Sequence, residues 1–490
     1  MARIEPQFYK NYDAGMVTNI NENVTPPGSV ALAINGQFDE ELGSFITRLG
    51  TQLIGSQVQS GKTCLGLHNF RDADGSNNAL IAFFNNSGDT QSVGTKVGTG
   101  SITGLTAQTA NKKHRMLTYL DSVLIVNGTD APASYNGATV ITTGGAFDLA
   151  NIPFSEPSLS IIFLDRVYLA GDTANPDRIY YSSTPTSGAI SWTSGNGFID
   201  LEPEDGAGNI QGFGKVPGFL LIFKERAMKR WNFDSAFPES LIDIGAPNQE
   251  CIISKGGLCA FYSSSNKDAK GFYITNGGRP QSISHDRPRS IKKWVDAIPQ
   301  SAEADIAGHG TSRVFMWSVG DLTVDGRLHK NVVFRYNYLL DQWSIRSYPS
   351  RFYFFASYVD SGSVNTIAAG DNDGNVIEID ASGIYVDHSA KKIYYEVLHQ
   401  EEDFQYNQVK ELSESIVVNS VNMEGGEIIL LVDGKETHHS NITGRISELN
   451  IKQPIKGNII QIGVRGTVNG ARGVLKEVEI PNVDVKESYV

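Results

Sequence analysis

Cysteine and long apolar runs are scarce in this sequence, and each scarcity excludes a class of protein. The three cysteines, Cys64, Cys251 and Cys259, are too few for a disulfide framework in a chain of 490 residues. Cys251 and Cys259 lack the His or Cys partners of a zinc site, so we expect small buried apolar residues there. No apolar run approaches the roughly 20 residues that span a bilayer, and the opening MARIEPQFYKNYDAG lacks the apolar core of a signal peptide. We therefore expect a protein that is made in a cytosol and has no membrane segment.

Positive charge is also in deficit. The chain has 41 Lys and Arg residues against 54 Asp and Glu residues, which gives a net charge of −13. Because binding to phosphates depends on Lys and Arg, this balance argues against a broad basic face that holds nucleic acid. It does not argue against a wall along which DNA slides, since few fixed cations are present to displace the counterions of DNA.

Glycine and short apolar runs are abundant. The chain has 50 glycines, and the stretch from 160 to 231 contains SIIFLDRVYLAG, then DRIYYSS, then GFLLIFKERAMKRW. Short runs of β-branched and aromatic residues, cut by Gly, Asn, Asp and Ser, are typical of strands in a meander. The sequence therefore predicts an all-β protein.

An internal repeat predicts the architecture. MLTYLDSVLIVNG at 116–128 resembles SIIFLDRVYLAG at 160–171, and the two are 44 residues apart. Similar strands give seven marks, 38 to 56 residues apart, at Leu80, Val123, Val167, Leu220, Leu258, Val314 and Val364. Because a four-stranded propeller blade takes roughly 40 to 50 residues, we predict a six- or seven-bladed β-propeller over residues 56–390. The alternative is a pair of stacked β-sandwiches, which needs no steady period.

Two regions flank the repeats. We interpret residues 1–55 as an N-terminal arm and closing strand, with a strand near Phe45 to Leu49. A helix over Ser29 to Leu42 is the weaker interpretation, because Gly36 lies inside it. Residues 391–490 contain five or six strand patterns and a hairpin turn at Asp433-Gly434, which predicts a β-sandwich.

Two inserts interrupt the propeller pattern, at 172–209 and at 284–300. The second reads SHDRPRSIKKWVDAIPQ and has a short helical pattern that ends before Pro299. Its basic and aromatic composition marks a docking edge more often than a DNA clamp in an acidic protein, and a solvated loop without a partner is the alternative. The predicted docking residues are Arg287, Arg289, Lys292, Lys293 and Trp294.

Four motifs suggest chemistry, and each is incomplete. QSGKT at 59–63 lacks the first glycine of a phosphate-binding loop, and GDNDGNVIEID at 370–380 has no acidic residue at the twelfth place of a calcium loop. SGAISWTSGNG lacks the Asp of a sialidase turn, so we expect Trp192 to pack between blades. His438-His439 lies in a polar pattern without a partner at ligand spacing, which predicts solvated loop histidines. We therefore predict no catalytic residue, no metal site and no cofactor.

The order of several phrases resembles a known group of proteins. The opening DAGMVTNINENVTPPGSVALAINGQFDEELGSFITRLG is followed by LIVNGTDAPASYNG, LDRVYLAGDTANPDRIYYSS, LLIFKERAMKRW and FYITNGGRPQSISH. VFRYNYLLDQWS, AAGDNDGNVIEID and a terminal LVDGKE complete the series over about 450 residues. The arrangement resembles the β-propeller virion proteins of tailed phages, which include the packaged-DNA stabilisation proteins and the tail-nozzle and hub proteins of short-tailed phages.

The resemblance implies a structural role. We expect several copies in a ring in the tail, in the nozzle or hub or at the head–tail junction, which extends the DNA channel and retains the packaged genome. The implied partners are other copies, the adjoining head–tail adaptor and tail proteins, and DNA that passes without sequence-specific binding. The expected location is the virion tail, after synthesis in the host cytoplasm. The alternatives are a propeller glycosidase that acts on host surface sugars and a monomeric ligand-binding propeller.

Overall fold

The computed structural model describes the chain apart from residues 1, 5, 19–25, 27, 40–42, 76, 103, 203–205, 236, 286–289, 360–364, 402–408, 481–482 and 487–490. Strands make up 51% and helices 3% of the structure, so the all-β prediction is confirmed. Within the described residues, no helix is both long and apolar enough to cross a membrane.

Seven short strands lie in the N-terminal segment. They are β1 (Ala2–Ile4), β2 (Gln7–Lys10), β3 (Gly15–Met16), β4 (Ser29–Ile34), β5 (Gly36–Phe38), β6 (Phe45–Thr47) and β7 (Thr51–Leu53). The strand predicted near Phe45 is confirmed by β6, and β4 and β5 replace the helix considered there. Gly36 is required because a Cβ atom at this position would lie 2.2 Å from the Phe45 ring.

Seven consecutive antiparallel sheets follow, and we number them in chain order. The first sheet contains β8 (Cys64–Arg71), β9 (Asn78–Asn85), β10 (Gln91–Lys96), β11 (Gly100–Ser101) and β12 (Gln108–Thr109). The second contains β13 (Arg115–Tyr119), β14 (Ser122–Val126), β15 (Ala133–Tyr135) and β16 (Val140–Ile141). The third contains β17 (Leu159–Phe163), β18 (Arg166–Ala170), β19 (Arg178–Tyr181) and β20 (Gly197–Asp200).

The remaining sheets repeat this four-strand order. The fourth contains β21 (Ile210–Val216), β22 (Phe219–Lys224), β23 (Met228–Trp231) and β24 (Glu239–Ile242). The fifth contains β25 (Ile252–Lys255), β26 (Leu258–Ser263), β27 (Gly271–Thr275) and β28 (Gln281–Ser282), and helices α1 (Lys292–Asp296) and α2 (Gln300–Glu303) come next. The sixth contains β29 (Ala307–Gly310), β30 (Val314–Val324), β31 (Arg327–Asn337) and β32 (Gln342–Ser347). The seventh contains β33 (Phe352–Val359), β34 (Asn365–Asp371) and β35 (Val376–Ile379), and β7 completes it.

The first strands of the seven sheets pack against one another in order, from β8 to β13 and onward to β33, which packs back against β8. The sheets therefore form a closed circle, which we call the ring, with the first strands innermost. Apolar clusters fill the spaces between neighbouring sheets. Between the third and fourth sheets, for example, Tyr168, Ile179, Ile222 and Trp231 are buried together.

The repeat marks fall on equivalent strands. Six of the seven marks lie on the second strands of the first six sheets, namely Leu80, Val123, Val167, Leu220, Leu258 and Val314. Val364 lies outside the described residues, directly before β34. The prediction that each mark belongs to a different sheet is therefore confirmed for these six.

The Leu-Asp pair of the repeat is a two-residue hairpin turn. Leu120 and Asp121 have φ angles of 50° and 53°, and Leu164 and Asp165 have φ angles of 46° and 54°. Two successive residues with positive φ make a type I′ turn, whose twist matches that of the flanking strands. A leucine in this conformation is strained, since its Cβ atom crowds the backbone.

Beyond the ring, the strands are β36 (Val386–Asp387), β37 (Lys391–Lys392), β38 (Tyr394–His399), β39 (Val409–Leu412), β40 (Ile416–Val421), β41 (Glu427–Val432), β42 (Lys435–Asn441), β43 (Ile446–Leu449), β44 (Ile455–Gly457), β45 (Ile460–Thr467), β46 (Val474–Ile480) and β47 (Val483–Lys486). Two sheets have the orders β1-β47-β39-β44 and β43-β40-β46-β6-β5, with β2 also on β46. A third continues from β32 of the ring in the order β4-β38-β45-β41-β42. We call these three sheets the terminal body, because strands from both ends of the chain build each of them.

Arg48 joins the ring to the terminal body. Its Nη1 and Nη2 atoms lie 2.8 and 2.6 Å from the two carboxylate oxygens of Asp387. Its Nε donates to Asn35 Oδ1 at 2.9 Å, and its guanidinium lies 4.3 Å from the Tyr348 ring centroid. Asn35 donates in turn to Tyr394 O at the start of β38. The buried charge is thus fully bonded, and it fixes where the chain enters the ring.

Candidate functional site

The inner wall of the ring carries an ion pair that links distant sheets. Arg115 begins β13 of the second sheet, and Glu250 lies just before β25 of the fifth sheet. Arg115 Nε lies 2.8 Å from Glu250 Oε1, and Arg115 Nη1 donates to Ser158 O at 2.9 Å, beside the third sheet. Because the second and fifth sheets lie on opposite sides of a circle of seven, the ion pair spans the axis of the ring.

Lys113 and helix α2 make further contacts at the end of the ring where the Arg115–Glu250 pair lies. Lys113 Nζ lies 3.7 Å from Glu250 Oε2 and donates to Ala304 O at 2.7 Å. Arg351, before the seventh sheet, donates to Ala302 O at 3.1 Å. The last carbonyls of a helix lack partners inside it, so they accept these hydrogen bonds from the cations. The C-terminal end of α2 is therefore tied to residues beside the second and seventh sheets.

The charges around Glu250 set its protonation state. Burial by itself raises the pKa of this carboxyl, but the charges of Arg115 and Lys113 outweigh burial and lower the pKa to about 2. The carboxylate stays ionised at neutral pH, so it has no proton to donate to a leaving group. Its chemistry at this position is to hold the two cations.

Three histidines near the inner strands, the buried His114 and the half-buried His68 and His309, are neutral. Burial lowers the pKa values of His68, His114 and His309 to about 4, and Lys255 adds to the effect at His309. The His68 Nε2 atom lies 2.6 Å from Thr118 Oγ1, which links the first sheet to the second. These imidazoles remain uncharged at neutral pH and contribute packing and hydrogen bonds.

The phosphate-loop resemblance is a surface turn, as predicted. The Lys62 Nζ atom lies 2.6 Å from Asp89 Oδ2, and the Gly61 amide donates to Asp373 O. Strand β8 follows this turn, whereas a phosphate site needs the N-terminus of a helix. The polar groups of the turn therefore hold the first and seventh sheets together.

The calcium-loop resemblance is a hairpin tip, also as predicted. Buried Asp371 accepts hydrogen bonds from Ser350 Oγ and from the amides of Asp373 and Asn375. The carboxylate is occupied by the turn between β34 and β35. Across the described ranges of the chain, no group of three His, Cys, Asp or Glu side chains could hold a metal ion.

The other two motifs have different outcomes. Trp192 is buried between the second and third sheets and donates from Nε1 to Phe147 O at 2.8 Å, which confirms its packing role. His438 and His439 lie on β42, so the prediction of a loop there is wrong. The turn comes earlier, at Asp433 and Gly434, where positive φ angles permit it. His439 is solvent-exposed, as predicted.

The five predicted docking residues do not share one environment in the structure. Arg287 and Arg289 lie outside the described residues. On α1, Lys292 is half-buried and pairs with Asp296, and Lys293 is exposed and pairs with Asp325. Trp294 is buried, with its ring 4.7 Å from that of His329, so the indole is a core side chain and does not offer a docking surface. Helical spacing turns Trp294 inward while the lysines face solvent.

A cleft of about 640 Å³ lies between α1, the β30–β31 hairpin and the terminal body. Lys293, Asp325 and Arg327 line its ring side, and Leu398 and Gln461 line its other side. Arg327 Nη2 lies 2.6 Å from the buried carboxylate of Glu396. The cleft marks the seam between the two parts of the molecule, and sequence reasoning gave no signal for it because its walls come from distant segments.

A second concave surface lies between the third and fourth sheets, and we call it the aromatic groove. It has a volume of about 380 Å³ and is lined by Tyr181, Phe198, Asp200, Trp231, Phe233 and Phe237. Phe198, Phe233 and Phe237 are 54%, 41% and 79% exposed. The guanidinium of Arg178 lies 4.0 Å from the Phe198 ring centroid, and that of Arg166 lies 4.7 Å from the Phe233 centroid. The predicted 172–209 insert contributes Phe198, but the other two phenylalanines come from 232–238, which carried no repeat signal.

Comparison with known proteins identifies no family. No family model matches the chain, and no curated protein matches it. Among solved structures, the computationally designed Ika8 protein is 12% identical with a TM-score of 0.40, covering 71% of this chain and 96% of that one. The AfRom2 CNH domain is 9% identical with a TM-score of 0.39, covering 68% and 99%. The N-terminal domain of Nup159 is 9% identical with a TM-score of 0.39, covering 71% and 99%. The last two are β-propeller-like domains.

Proposed function

We propose that this chain is a structural virion protein of a tailed phage, and that copies of it form a ring in the tail. The assembly extends the DNA channel and retains the packaged genome. In this proposal the seven sheets of the ring are the blades of a seven-bladed β-propeller, and the terminal body is a β-sandwich completed by N-terminal strands. The ordered phrases that resemble phage propeller proteins support this assignment.

The ion pair across the ring axis carries the preference for a structural role over the glycosidase alternative. A glycosidase generally needs two carboxyl groups that flank the scissile bond, one of them protonated. Glu250 is instead held ionised by Arg115 and Lys113, and Lys113 also donates to Ala304 O at the end of α2. These groups brace the ring against distortion, which suits a protein that bears load in an assembly.

The charge distribution supports passage of DNA without retention at fixed sites. The net charge is −13, and basic side chains on the ring such as Arg178, Lys229 and Arg230 form ion pairs with acids. Phosphates would have to displace those acids to bind. Because the axis of each chain is bridged, the DNA channel of this proposal lies between copies. The partners are neighbouring copies and the adjoining adaptor and tail proteins, and no enzymatic activity or cofactor is assigned.

The test is to remove the chain from particles. Phage lacking it, and the same phage supplied with the wild-type chain, are compared for nuclease-accessible DNA after mild heating and for tail density in micrographs. We expect particles without the chain to lose a ring of tail density and to release DNA. Particles that keep intact tails and protected DNA without this chain would overturn the proposal. Release of sugars from host envelopes by the purified chain, abolished in Glu250→Gln, would favour the glycosidase.

A further inference from the structure

The aromatic groove runs along the free edge of a strand. Strand β20 is the last strand of the third sheet, and no described strand pairs with its outer side. Leu201 N donates to Asp177 O, so the alternation of an antiparallel ladder directs the amides and carbonyls of Ile199 and Gly197 toward β19. The backbone groups of Phe198 and Asp200 therefore face outward, where they can pair with an added strand.

The opposite wall of the groove is held in place by hydrogen bonds and ring contacts. Trp231 Nε1 donates to Ser235 O at 3.1 Å, and the Trp231 and Phe233 ring centroids are 5.7 Å apart. Arg166 stacks on Phe233 and donates from Nη1 to Ser182 O and Gly195 O. The exposed Phe233 ring is thus fixed before any partner arrives, which lowers the entropy cost of binding.

The charges of the groove favour a basic partner. Arg178 forms a bidentate pair with Asp200, with distances of 2.6 and 2.9 Å, so this cation is already neutralised. Asp234 lies in the chain between the groove residues Phe233 and Ser235, is exposed, and forms no ion pair with the residues that the structure describes. A Lys or Arg side chain of a bound segment would complement Asp234, while an acidic one would be repelled.

We propose that the aromatic groove binds an extended segment of a second protein, which adds as a strand to the outer edge of β20. Its backbone pairs with Phe198 and Asp200, and a bulky apolar side chain packs between Phe233 and Phe237. A neighbouring Lys or Arg of the segment faces Asp234. Strand addition of this kind takes affinity from backbone hydrogen bonds and specificity from the side-chain pocket. Aromatic side chains with stacked arginines are also the usual composition of energetically dominant interface residues.

The partner is a different protein because the groove favours a basic segment, whereas this chain carries a net charge of −13. Within the proposed tail assembly, an adjoining tail protein with an extended apolar and basic segment fits this requirement. This part of the inference rests on the proposed function, whereas the binding chemistry of the groove does not.

The binding chemistry is tested with a random-peptide library displayed for selection on the purified chain. We expect enriched peptides to carry a bulky apolar residue close to Lys or Arg, and to lose at least about tenfold in affinity toward Phe237→Ser. A comparison of Phe198→Ala with Phe198→Pro separates the contribution of the side chain to binding from that of the backbone. Both remove the ring, but only proline removes the outward N–H, and an edge strand tolerates it because that N–H does not pair with β19. Binding should therefore be weaker for Phe198→Pro than for Phe198→Ala.

Several results would overturn the proposal: no enrichment that depends on Phe237, peptides with helical apolar spacing, or equal binding by the two Phe198 variants. The partner is then identified in particles with a photo-cross-linking residue at position 237, and with position 339 as an exposed control on the β31–β32 turn. A cross-link from 237 to another tail protein supports the assignment, and a cross-link to a second copy refutes it. Particles that do not contain the chain at all contradict the proposed function, while the peptide result still decides the groove.

Discussion

The ring and the terminal body are both all-β, but they are assembled from the chain in opposite ways. Among the described strands of the ring, each sheet is built from strands that are consecutive in the chain, except that β7 of the seventh sheet comes from the N-terminal segment. In the terminal body, β6 pairs with β46 and β4 pairs with β38, so its sheets need both ends of the chain. Local pairing closes short loops, whereas the body must close loops of several hundred residues, whose entropy cost is larger. The ring should therefore be the more autonomous part.

The largest expected effect comes from separating the two parts. A fragment of residues 48–390 keeps β7 and the Arg48–Asp387 pair, and we expect it to fold. Deletion of 391–490 alone removes β38 from the side of β4 and β46 from the side of β6, and should expose Ile34 and Phe45, which are buried in the whole chain. That longer fragment should aggregate, because unpaired apolar strands are templates for association. Size-exclusion chromatography and circular dichroism compare the two fragments. If the longer fragment were the more soluble one, the ring would not fold independently of the N-terminal strands.

The joint between the parts is the next target. Arg48→Ala leaves the buried carboxylate of Asp387 without its cation, which should lower the free energy of unfolding by about 3–5 kcal/mol. Arg178→Ala is the matched control, since its bidentate partner Asp200 is half exposed, and such a pair contributes about 1 kcal/mol or less. Denaturant unfolding of both variants gives the comparison. Equal losses would mean that Arg48 does not couple the ring to the body.

Acid should affect the ring more than the body. Burial lowers the pKa values of His68, His114 and His309 in the ring to about 4, and that of His399 in the body likewise, from an ordinary value of 6.5. Between these values the unfolded chain binds protons that the folded chain does not, so stability falls as pH drops from about 6.5 toward 4. Burial also lowers the pKa of His329 in the ring and that of His388 beside it, so the ring carries more such groups than the body and should lose stability more steeply. Hydrogen exchange measured for each part across this pH range tests the difference.

A substitution of His399 sharpens the same test. His399 lies within hydrogen-bonding distance of the Tyr12 hydroxyl and of Ile462 O, both at 3.0 Å. His399→Gln can keep both hydrogen bonds and cannot be protonated in this range. The variant should therefore flatten the pH dependence of the body while leaving that of the ring unchanged. An unchanged slope in the body would exclude His399 as its source.

The smallest expected effect concerns turns. Leu164 is 54% exposed in a left-handed conformation, so Leu164→Asn should stabilise the ring by about 1 kcal/mol. Leu120 has the same conformation but packs against the cluster between the second and third sheets, so Leu120→Asn should gain less or lose stability. The body turn Asp433-Gly434 already has suitable residues. Thermal unfolding of the two variants shows whether strain in the repeat is local, and equal shifts would argue against this interpretation.

The contrast explains what the sequence could predict. The ring is visible because each Leu-Asp-x-Val phrase encodes a hairpin whose strands are neighbours, so position in the repeat maps onto position in the sheet. The pairing of β4 with β38 gives no local signal in the sequence. Because β4 is buried on both faces, its residues do not alternate between apolar and polar, and nothing in them identifies the partner strand. Trp192 was predicted correctly from its turn context, but Trp294 was assigned to the surface because its basic neighbours dominate the composition. The axis ion pair could not be predicted, because its residues meet only when distant sheets close into a circle. The aromatic groove could not be predicted because Phe233 and Phe237 lie in a segment without a repeat signal.

The position of β7 has a consequence for how the chain is made. Residues 51–53 leave the ribosome before any sheet of the ring, yet they pair only with 377–379 at the end of the seventh sheet. During synthesis the first six sheets can form one after another. Over the same period β4, β6 and β7 lack the partner strands that are made later, so their edges stay unpaired. Closing the circle is thus a late event, and the terminal body later still. A ribosome stalled before residue 376 should carry a nascent chain whose N-terminal strands are captured by chaperones and cut by proteases, while the sheets already made are protected.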